Sequence, residues 1–284
     1  MKIVFLDAKT IGDDIDLSAF EKLGEVVTYN FSTTEEALER TVDADVIVLN
    51  KVEINEHSIG KAKKLKLVCV TATGTNNLDK EYLKSRGIEW RNVAGYSTES
   101  VAQHTFAMLF YLWEKLAYYD QYVKSEKYVG DVMFTHFEKR FHELSGKTWG
   151  IIGLGNIGRR VADIAKAFGC RVIYYSTSGK NSQQGYERVE FDALLEQSDI
   201  VSVHAPLDKK QDLADALETG EIAGAGLDVL SAEPMRKDNP LRKIKDSERL
   251  IITPHIGWAS VEARTRLMEI ICQQIADFQN QIIL

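Results

Sequence analysis

The sequence predicts an α/β protein with two domains, and three observations carry this prediction. Short apolar runs alternate with amphipathic helical stretches through the first hundred residues. A glycine-rich loop lies past the midpoint of the chain, between a second apolar run and a second helical stretch. The chain has 284 residues, 44% hydrophobic and 27% charged, which is enough material for two cores. We therefore expect two parallel sheets, each with helices on both faces.

The first hundred residues predict one complete sheet. Helical patterns at 34–42 and 79–86 separate apolar runs that read as strands. These runs are 2–6, 25–29, 46–49, 67–70 and 88–91. Strands that alternate with helices pair in parallel, because each crossover helix returns the chain to the same end of the sheet.

A long helical stretch follows, from 100 to about 124, and it is unusually rich in aromatic residues. Further aromatic residues continue along the chain to Phe134, Phe137 and Phe141. Core and inter-domain packing is one interpretation of the pattern. The extra aromatic residues favour a subunit interface, and hence a homodimer.

The glycine-rich loop is the strongest single motif. Its sequence is Gly153-Leu154-Gly155-Asn156-Ile157-Gly158, between a strand at 148–152 and a helix that Gly169 closes. This order of strand, loop, helix and strand is the context that a dinucleotide fingerprint requires. The first glycine allows the tight turn, the second admits a pyrophosphate, and the third allows helix and strand to pack closely. The diphosphate is expected on the free N–H groups of the helix N-terminus.

The remaining elements complete the domain prediction. Strands at 200–204 and 222–227 extend the dinucleotide module, and a closing helix at 261–283 returns to the first domain. The substrate domain is thus predicted as 1–98 with 262–284, and the dinucleotide-binding domain as 99–261. In such folds the ligand binds in the crevice at the carboxyl ends of the strands.

Composition excludes several classes of function. A net charge of −7 gives no support to nucleic-acid binding. No apolar stretch is long enough to cross a bilayer, and the N-terminus does not resemble a signal peptide. Cys69, Cys170 and Cys272 are scattered within apolar runs, which favours free thiols in a reducing cytoplasm and argues against a metal site.

Several segments, taken in order, resemble the D-isomer-specific 2-hydroxyacid dehydrogenase family. They are Thr71 to Asp79 (TATGTNNLD), Ser100 to Thr105 (SVAQHT), the glycine-rich loop, His204-Ala205-Pro206-Leu207, Ala225 to Val229 (AGLDV) with Glu233-Pro234, and Thr253 to Gly257 (TPHIG). The resemblance covers nearly the whole chain. It implies a flavodoxin-like substrate domain beside a Rossmann domain, and hydride exchange between a nicotinamide cofactor and a small 2-keto or 2-hydroxy acid.

The resemblance assigns the acid–base residues. His255 is the candidate proton donor, since imidazole titrates near neutral pH. Glu233 matches the family glutamate that bonds the other ring nitrogen and fixes the tautomer. Without the surrounding motif, a histidine at the end of a strand is more simply interpreted as a structural residue than as a catalytic one.

Other positions follow the same resemblance. Thr73 and Gly74 match the loop whose N–H groups hold the substrate carboxylate, although a plain turn is the alternative. Thr105 matches a residue on the phosphate side of the cofactor, Asp228 one at the nicotinamide carboxamide, and Pro206 one beside the adenosine. Trp258 resembles members that act on hydroxypyruvate or glyoxylate, or else packs at a domain interface. His104 and His204 lie beside apolar residues and are expected to be structural.

The chain departs from the family pattern in its ribose-binding position. An NAD-specific fingerprint has an acidic residue about 20 positions after the glycines, and here Ser176 stands in its place. Hydroxyl groups with Lys180 would accommodate a 2′-phosphate, whereas Ser176 alone would accept the ribose of NADH. The sequence leaves NAD or NADP open.

The second departure from the family pattern concerns an arginine that has no counterpart in this sequence. Members of the family have a helix and a strand after the His-x-Pro-Leu motif, and that strand ends at an arginine that binds the substrate carboxylate. Here Lys210 runs directly into Gln211 and the next helix, so a unit of about 25 residues is absent. Either the natural protein carries a segment that this sequence omits, or it truly lacks the unit. Loss of an interior strand leaves unpaired backbone, which favours the former.

These observations predict an NAD(P)-dependent D-2-hydroxyacid dehydrogenase that acts on hydroxypyruvate or glyoxylate. A D-lactate or branched D-2-hydroxyacid dehydrogenase is the enzymatic alternative. If the arginine segment is truly absent, a non-catalytic NAD(H)-binding regulator is the rival from another class.

Overall fold

The computed structural model describes residues 1–179, 185–205 and 212–283, and it confirms an α/β fold built on parallel sheets. The chain divides into two compact units. One comprises Met1–Ser97 with Ala259–Leu284, and the other comprises Thr98–Trp258.

The first unit contains a five-stranded parallel sheet. Its strands are β1 (Lys2–Phe5), β2 (Glu25–Thr28), β3 (Val46–Leu49), β4 (Leu67–Val70) and β5 (Glu89–Arg91), in the order β2-β1-β3-β4-β5. This is the flavodoxin-like order. The residues of β3 and β4 are all buried, since helices cover a parallel sheet on both faces.

The helices of the first unit are short except for the last. They are α1 (Ser18–Glu21), α2 (Thr34–Arg40), α3 (Glu56–Ile59), α4 (Lys80–Ser85) and the C-terminal α10 (Val261–Ile283). Arg264 on α10 bonds Asp14, and Arg266 bonds the Tyr96 carbonyl oxygen at 2.8 Å. These contacts fix the C-terminal helix to the N-terminal segment of the chain.

The second unit contains two parallel sheets. One has four strands in the order β8-β7-β6-β9, and the other pairs β10 with β11. The strands are β6 (Thr148–Ile152), β7 (Arg171–Tyr175), β8 (Glu187–Arg188), β9 (Ile200–Val203), β10 (Ala225–Leu227) and β11 (Leu250–Ile252). The helices are α5 (Thr98–Trp113), α6 (Leu116–Lys124), α7 (Asn156–Ala167), α8 (Phe191–Gln197) and α9 (Asp212–Thr219).

The single helix that the sequence predicts from 100 to 124 is in fact two helices. Lys115 adopts a left-handed backbone conformation with φ of 56° and separates α5 from α6. Apolar spacing continues across the break, so periodicity gives no sign of it. Phe106 on α5 is buried against Trp149, with ring centroids 4.8 Å apart, whereas α6 buries none of its side chains.

The four-stranded sheet stops at β9. No strand in the described part of the chain pairs with the outer edge of β9 or with the second edge of β10. Val201 and Val203 on β9 remain 40% and 39% exposed, although interior strands of parallel sheets are normally covered. Lys210 and Gln211, the position of the predicted missing unit, lie outside the described residues. The two strands that flank this position in sequence, β9 and β10, belong to different sheets.

Candidate active site

The glycine-rich loop connects β6 to α7 and has little free space. Gly153 has a φ of 92°, and a Cβ atom there would lie 2.9 Å from the carbonyl oxygen of His204. A Cβ on Gly158 would lie only 2.2 Å from the carbonyl oxygen of Gly153. Both glycines are therefore required by the close approach of the protein's own backbone.

Gly155 differs from its two neighbours. It is the N-cap residue of α7 with φ of −80°, and a Cβ atom there would meet nothing within 4 Å. Gly155 has no side chain that could cap this helix N-terminus, and the N–H groups of Asn156 and Ile157 in the first turn have no partner within the helix. Twelve residues of helix give this end a positive partial charge. The N-terminus of α7 fits the diphosphate of a dinucleotide, and the residues that would hold it are Gly155, Asn156, Ile157 and Gly158.

Ser176 follows β7 at the same edge of the sheet. It is buried, and its carbonyl oxygen accepts a hydrogen bond from the N–H of Gly179 in the turn that follows. Lys180 lies outside the described residues. In the sequence, Ser176 stands at the position after β7 where the fingerprint expects an acidic residue.

His255 and Glu233 form a hydrogen-bonded pair in the second unit. His255 Nδ1 lies 2.7 Å from Glu233 Oε2, and Glu233 Oε1 accepts a hydrogen bond from the N–H of Leu230. An ionised carboxylate only accepts, so the proton lies on Nδ1 and leaves Nε2 as the outward nitrogen. The His255 side chain is 38% exposed, and in the described residues nothing bonds Nε2. The arrangement can present Nε2 to a ligand while the carboxylate fixes the ring.

The backbone of His255 is strained, with φ of 57°, and Asp228 holds it in place. The N–H of His255 bonds the Asp228 carbonyl oxygen at 2.9 Å. The Asp228 carboxylate accepts hydrogen bonds from the N–H groups of Ile256 at 2.8 Å and Gly257 at 2.7 Å. Three consecutive N–H groups thus fix a conformation that costs a non-glycine residue on the order of 1 kcal/mol.

Thr73 and Gly74 lie in the first unit, after β4. Thr73 Oγ1 donates to the carbonyl oxygen of Val93 at 3.0 Å, and a Cβ on Gly74 would meet nothing within 4 Å. Both residues are exposed in this loop. Neighbouring Asn77 donates to the carbonyl oxygens of Asn50 and Val52, which ties the loop to the one after β3.

The carboxylate of Asp7 organises the adjacent loop from beneath. It is buried and accepts hydrogen bonds from the N–H groups of Asn50 and Lys51 at 2.8 and 2.6 Å. Burial raises the pKa of Asp7, while these N–H groups act against that rise. The carboxyl edge of the first sheet is therefore a set of interlinked loops.

The remaining predicted positions are less informative. The hydroxyl of Thr105 bonds the Val101 carbonyl oxygen of its own helix at 2.9 Å. Trp258 is partly buried at the end of the second unit, and Pro206 lies outside the described residues. His204, expected to be structural, has an Nε2 atom that is buried without a hydrogen-bond partner in the described structure. Burial lowers the pKa of His204 to about 4.

Two residues of this region, Thr253 and His104, received no functional role from the sequence: Thr253 was only part of the TPHIG segment, and His104 was expected to be structural. Thr253 Oγ1 lies 2.7 Å from Asp228 Oδ1 and 2.9 Å from His104 Nε2. The signal for Thr253 in the sequence is its place in the TPHIG segment, two residues before His255.

Comparison with known proteins identifies the family. The family model described as "D-isomer specific 2-hydroxyacid dehydrogenase, NAD binding domain" matches residues 106–212 and 207–257. The chain belongs to this family. It is accordingly an oxidoreductase of the NAD(P)-dependent D-2-hydroxyacid dehydrogenase type, and its cofactor is a nicotinamide dinucleotide.

Individual relatives agree with this assignment. The chain is 35% identical to a hydroxypyruvate reductase of Blautia hydrogenotrophica, over 98% of this chain and 97% of that protein. An acyclic imino acid reductase solved with NADPH and D-Arg is 27% identical, with a TM-score of 0.84 over 99% and 98% of the two chains. A D-lactate dehydrogenase from Aquifex aeolicus, solved with NAD and lactic acid, is 25% identical, with a TM-score of 0.80 over 98% and 96%.

The same comparisons bear on the gap between β9 and β10. The two matched pieces of the family model meet at 207–212, where the predicted unit is missing. The alignment with the Blautia protein runs over 315 positions, whereas 98% of this chain is about 278 residues. At least about 37 of its positions thus have no residue from this chain, which is enough for a helix and a strand.

Within the described ranges, every helix is too short or too polar to span a bilayer. The same residues contain no cluster of three or more His, Cys, Asp or Glu side chains arranged to bind a metal ion.

Proposed function

We propose that this chain is a 2-keto acid reductase that acts on hydroxypyruvate or glyoxylate. The 2.7 Å hydrogen bond between His255 Nδ1 and Glu233 Oε2 is the observation that carries the proposal. It provides a tautomer-fixed imidazole with its other nitrogen exposed, and such a group is suited to proton transfer.

Reduction of a keto group requires a hydride on carbon and a proton on oxygen. The nicotinamide cofactor supplies the hydride when bound. His255 donates the proton from Nε2 to the keto oxygen, and Glu233 stabilises the imidazolium before this transfer. In the reverse direction His255 accepts the hydroxyl proton at the same atom. The N–H groups near Thr73 and Gly74 are suited to hold the substrate carboxylate, because Gly74 leaves open space around its backbone.

The choice of substrate rests on two supports. The Blautia relative is named a hydroxypyruvate reductase, and Trp258 follows the Pro-His-Ile-Gly motif as in members with that activity. A D-lactate or branched D-2-hydroxyacid dehydrogenase is the alternative, favoured by the likeness to the Aquifex D-lactate dehydrogenase.

A panel of 2-keto acids with NADH and NADPH tests the proposal. We expect oxidation of the cofactor with hydroxypyruvate or glyoxylate at higher kcat/KM than with pyruvate or branched acids. His255→Ala should abolish turnover while NADH affinity stays within about twofold, since the imidazole acts on the substrate oxygen. Tight NADH binding without turnover of any acid would refute the enzymatic proposal.

Cofactor preference is a separate part of the proposal. We infer that the protein accepts both NADH and NADPH, because Ser176 neither repels a 2′-phosphate nor binds both ribose hydroxyls as a carboxylate does. Ser176→Asp should lower the NADPH affinity at least tenfold, or about 1.4 kcal/mol, through repulsion of the phosphate. The matched variant Ser176→Ala should leave the discrimination unchanged. Equal loss for both cofactors would contradict this interpretation.

The missing helix–strand unit decides between the enzyme and a cofactor-binding regulator. We infer that the natural protein carries the unit, because no described strand pairs with the free edges of β9 and β10, and because the alignment with the Blautia relative contains positions that this chain does not fill. An intact mass clearly above 32.0 kDa for the protein purified from its source would support this inference. A mass of 32.0 kDa together with absent turnover would favour the regulator.

The segment 116–142 supports a homodimer. Phe134 and Phe137 are 91% and 74% exposed, and His136 stacks on Tyr122 with ring centroids 3.8 Å apart. Large apolar side chains are seldom left in water by a monomer, and a second copy of this chain provides an equally apolar face. Replacement of Phe134 and Phe137 by Ser should halve the mass measured by light scattering. Phe31→Ser, at an aromatic residue 64% exposed in the other unit, is the control that should leave the dimer intact.

The cysteines support a reducing compartment. Cys69, Cys170 and Cys272 are all free, and burial raises the pKa of the Cys69 thiol to about 12. We propose the cytoplasm as the location, since there free thiols persist.

A further inference from the structure

His104 lies on α5 and faces the loop that carries His255. Its Nε2 atom is 2.9 Å from Thr253 Oγ1 and 3.6 Å from Asp228 Oδ1. The His104 and Asp228 side chains are only 20% and 16% exposed. The chain brings together residues more than one hundred positions apart at this point.

The hydrogen-bond directions in this cluster follow from its chemistry. An ionised Asp228 carboxylate only accepts, so the Thr253 hydroxyl donates its single proton to Oδ1 at 2.7 Å. The Thr253 oxygen then accepts from His104, whose Nε2 must carry a hydrogen. The chain of donors runs from His104 through Thr253 to Asp228.

Asp228 connects this series of hydrogen bonds to the loop that carries His255. Its two carboxylate oxygens accept from the N–H groups of Ile256 and Gly257, and its carbonyl oxygen accepts from that of His255. A Cβ on Gly257 would lie 2.7 Å from Asp228 Oδ2 and 3.3 Å from His104 Cδ2, so the loop packs tightly against both side chains.

A second contact from α5 reaches the same loop. Ser100 Oγ donates to the carbonyl oxygen of Gly257 at 2.6 Å. Helix α5 therefore holds the loop on both sides of the Gly257 peptide, two residues beyond the strained backbone at His255.

We propose that His104 is a positioning residue: through Thr253 and Asp228 it fixes the backbone of residues 255–257 and thereby the direction of the His255 imidazole. This inference rests on the proposed role of His255 in proton transfer. The imidazole of His104 bonds Thr253 and lies beside Asp228, so its effect reaches catalysis through the loop. Thr253 Oγ1 connects His104 to Asp228, so loss of this hydroxyl group also frees the backbone of residues 255–257.

Two pairs of variants test the proposal. His104→Leu removes the donor at similar volume, whereas His104→Gln keeps an N–H group at a comparable distance. Thr253→Val and Thr253→Ser form the same pair at the next link. Amide hydrogen exchange of Ile256 and Gly257 is measured on the full chain without substrate. In parallel, kcat, KM for hydroxypyruvate and the Kd for NADH are measured.

His104→Leu and Thr253→Val should accelerate exchange at Ile256 and Gly257 about tenfold, the effect of one weakened hydrogen bond. They should lower kcat about tenfold with KM and NADH affinity nearly unchanged, because only the proton donor is misplaced. His104→Gln and Thr253→Ser should recover most of the loss.

Unchanged exchange and kcat in both donor-free variants would overturn the proposal. Gln and Ser variants as impaired as Leu and Val would also overturn it, because packing alone would then explain the effect. If the wild-type chain turns over no 2-keto acid, the proposed function fails. The exchange data would still decide whether His104 fixes the loop.

Discussion

Two glycines of the glycine-rich loop, Gly158 and Gly155, are expected to show different roles when each is replaced by alanine. A Cβ on Gly158 would lie 2.2 Å from the Gly153 carbonyl oxygen, against an ordinary contact of about 3.4 Å. The atom in the way is backbone, so the helix or the loop must shift by more than about 1 Å. Overpacking of this kind costs roughly 1–3 kcal/mol, and the better helix propensity of alanine offsets up to about 1 kcal/mol.

Gly155→Ala is the matched variant within the same motif. Its φ of −80° suits any residue, and its Cβ would meet no protein atom within 4 Å. We expect the stability of the protein without cofactor to be unchanged or to rise by about 0.4–1 kcal/mol, since alanine restricts the unfolded chain. The same methyl group would occupy the space of the diphosphate. NADH affinity should therefore fall at least tenfold, or about 1.4 kcal/mol.

Urea denaturation without cofactor and titration of NADH fluorescence measure the two effects separately. Gly158→Ala should lower the free energy of unfolding, whereas Gly155→Ala should lower only the affinity. Wild-type NADH affinity in Gly155→Ala would show that the diphosphate does not approach this backbone. Wild-type stability in Gly158→Ala would refute the close approach of α7 to the loop.

Three other predictions concern the remaining sites. Glu233→Gln should lower kcat about a hundredfold with little change in NADH affinity, because a neutral amide stabilises the imidazolium less; an unchanged kcat would contradict the assigned pair. Gly74→Ala should leave stability unchanged, because its Cβ meets no atom, but should raise KM for the 2-keto acid several-fold, as initial rates would show. His204 has a folded pKa of about 4, below its unfolded value, so protonation favours the unfolded state. Urea titrations should show stability falling by up to about 3 kcal/mol as pH drops from 6.5 to 4, and His204→Leu should flatten this slope.

Local patterns predicted much of the fold because they depend on neighbours in sequence. Strands 46–49 and 67–70 were found to the residue, since all-apolar runs between turn signals can bury both faces. The glycine spacing of 153–158 likewise reflects contacts within one loop. The strand 148–152 and the helix 261–283 also match to the residue, whereas several other bounds shifted by one to three residues, as at β10, which begins at Ala225 rather than 222.

Features that depend on a single backbone angle, or on contacts between residues distant in sequence, could not be predicted in this way. The break at Lys115 depends on one backbone angle and leaves the apolar period intact. The cluster of His104, Thr253 and Asp228 joins three segments, and no spacing rule connects them. His104 beside apolar residues gave no hint of its polar partners.

The sequence by itself determined the family, the nicotinamide cofactor and the parallel α/β architecture. These follow from ordered motifs and hydrophobic runs, whose physical meaning is local. The tertiary structure decided which glycine leaves room for a cofactor and how His255 is oriented. It also showed that, among the described residues, no strand pairs with the free edges of β9 and β10. Those properties depend on atoms that approach one another only after folding, because hydrogen bonds and steric contacts act over a few ångströms.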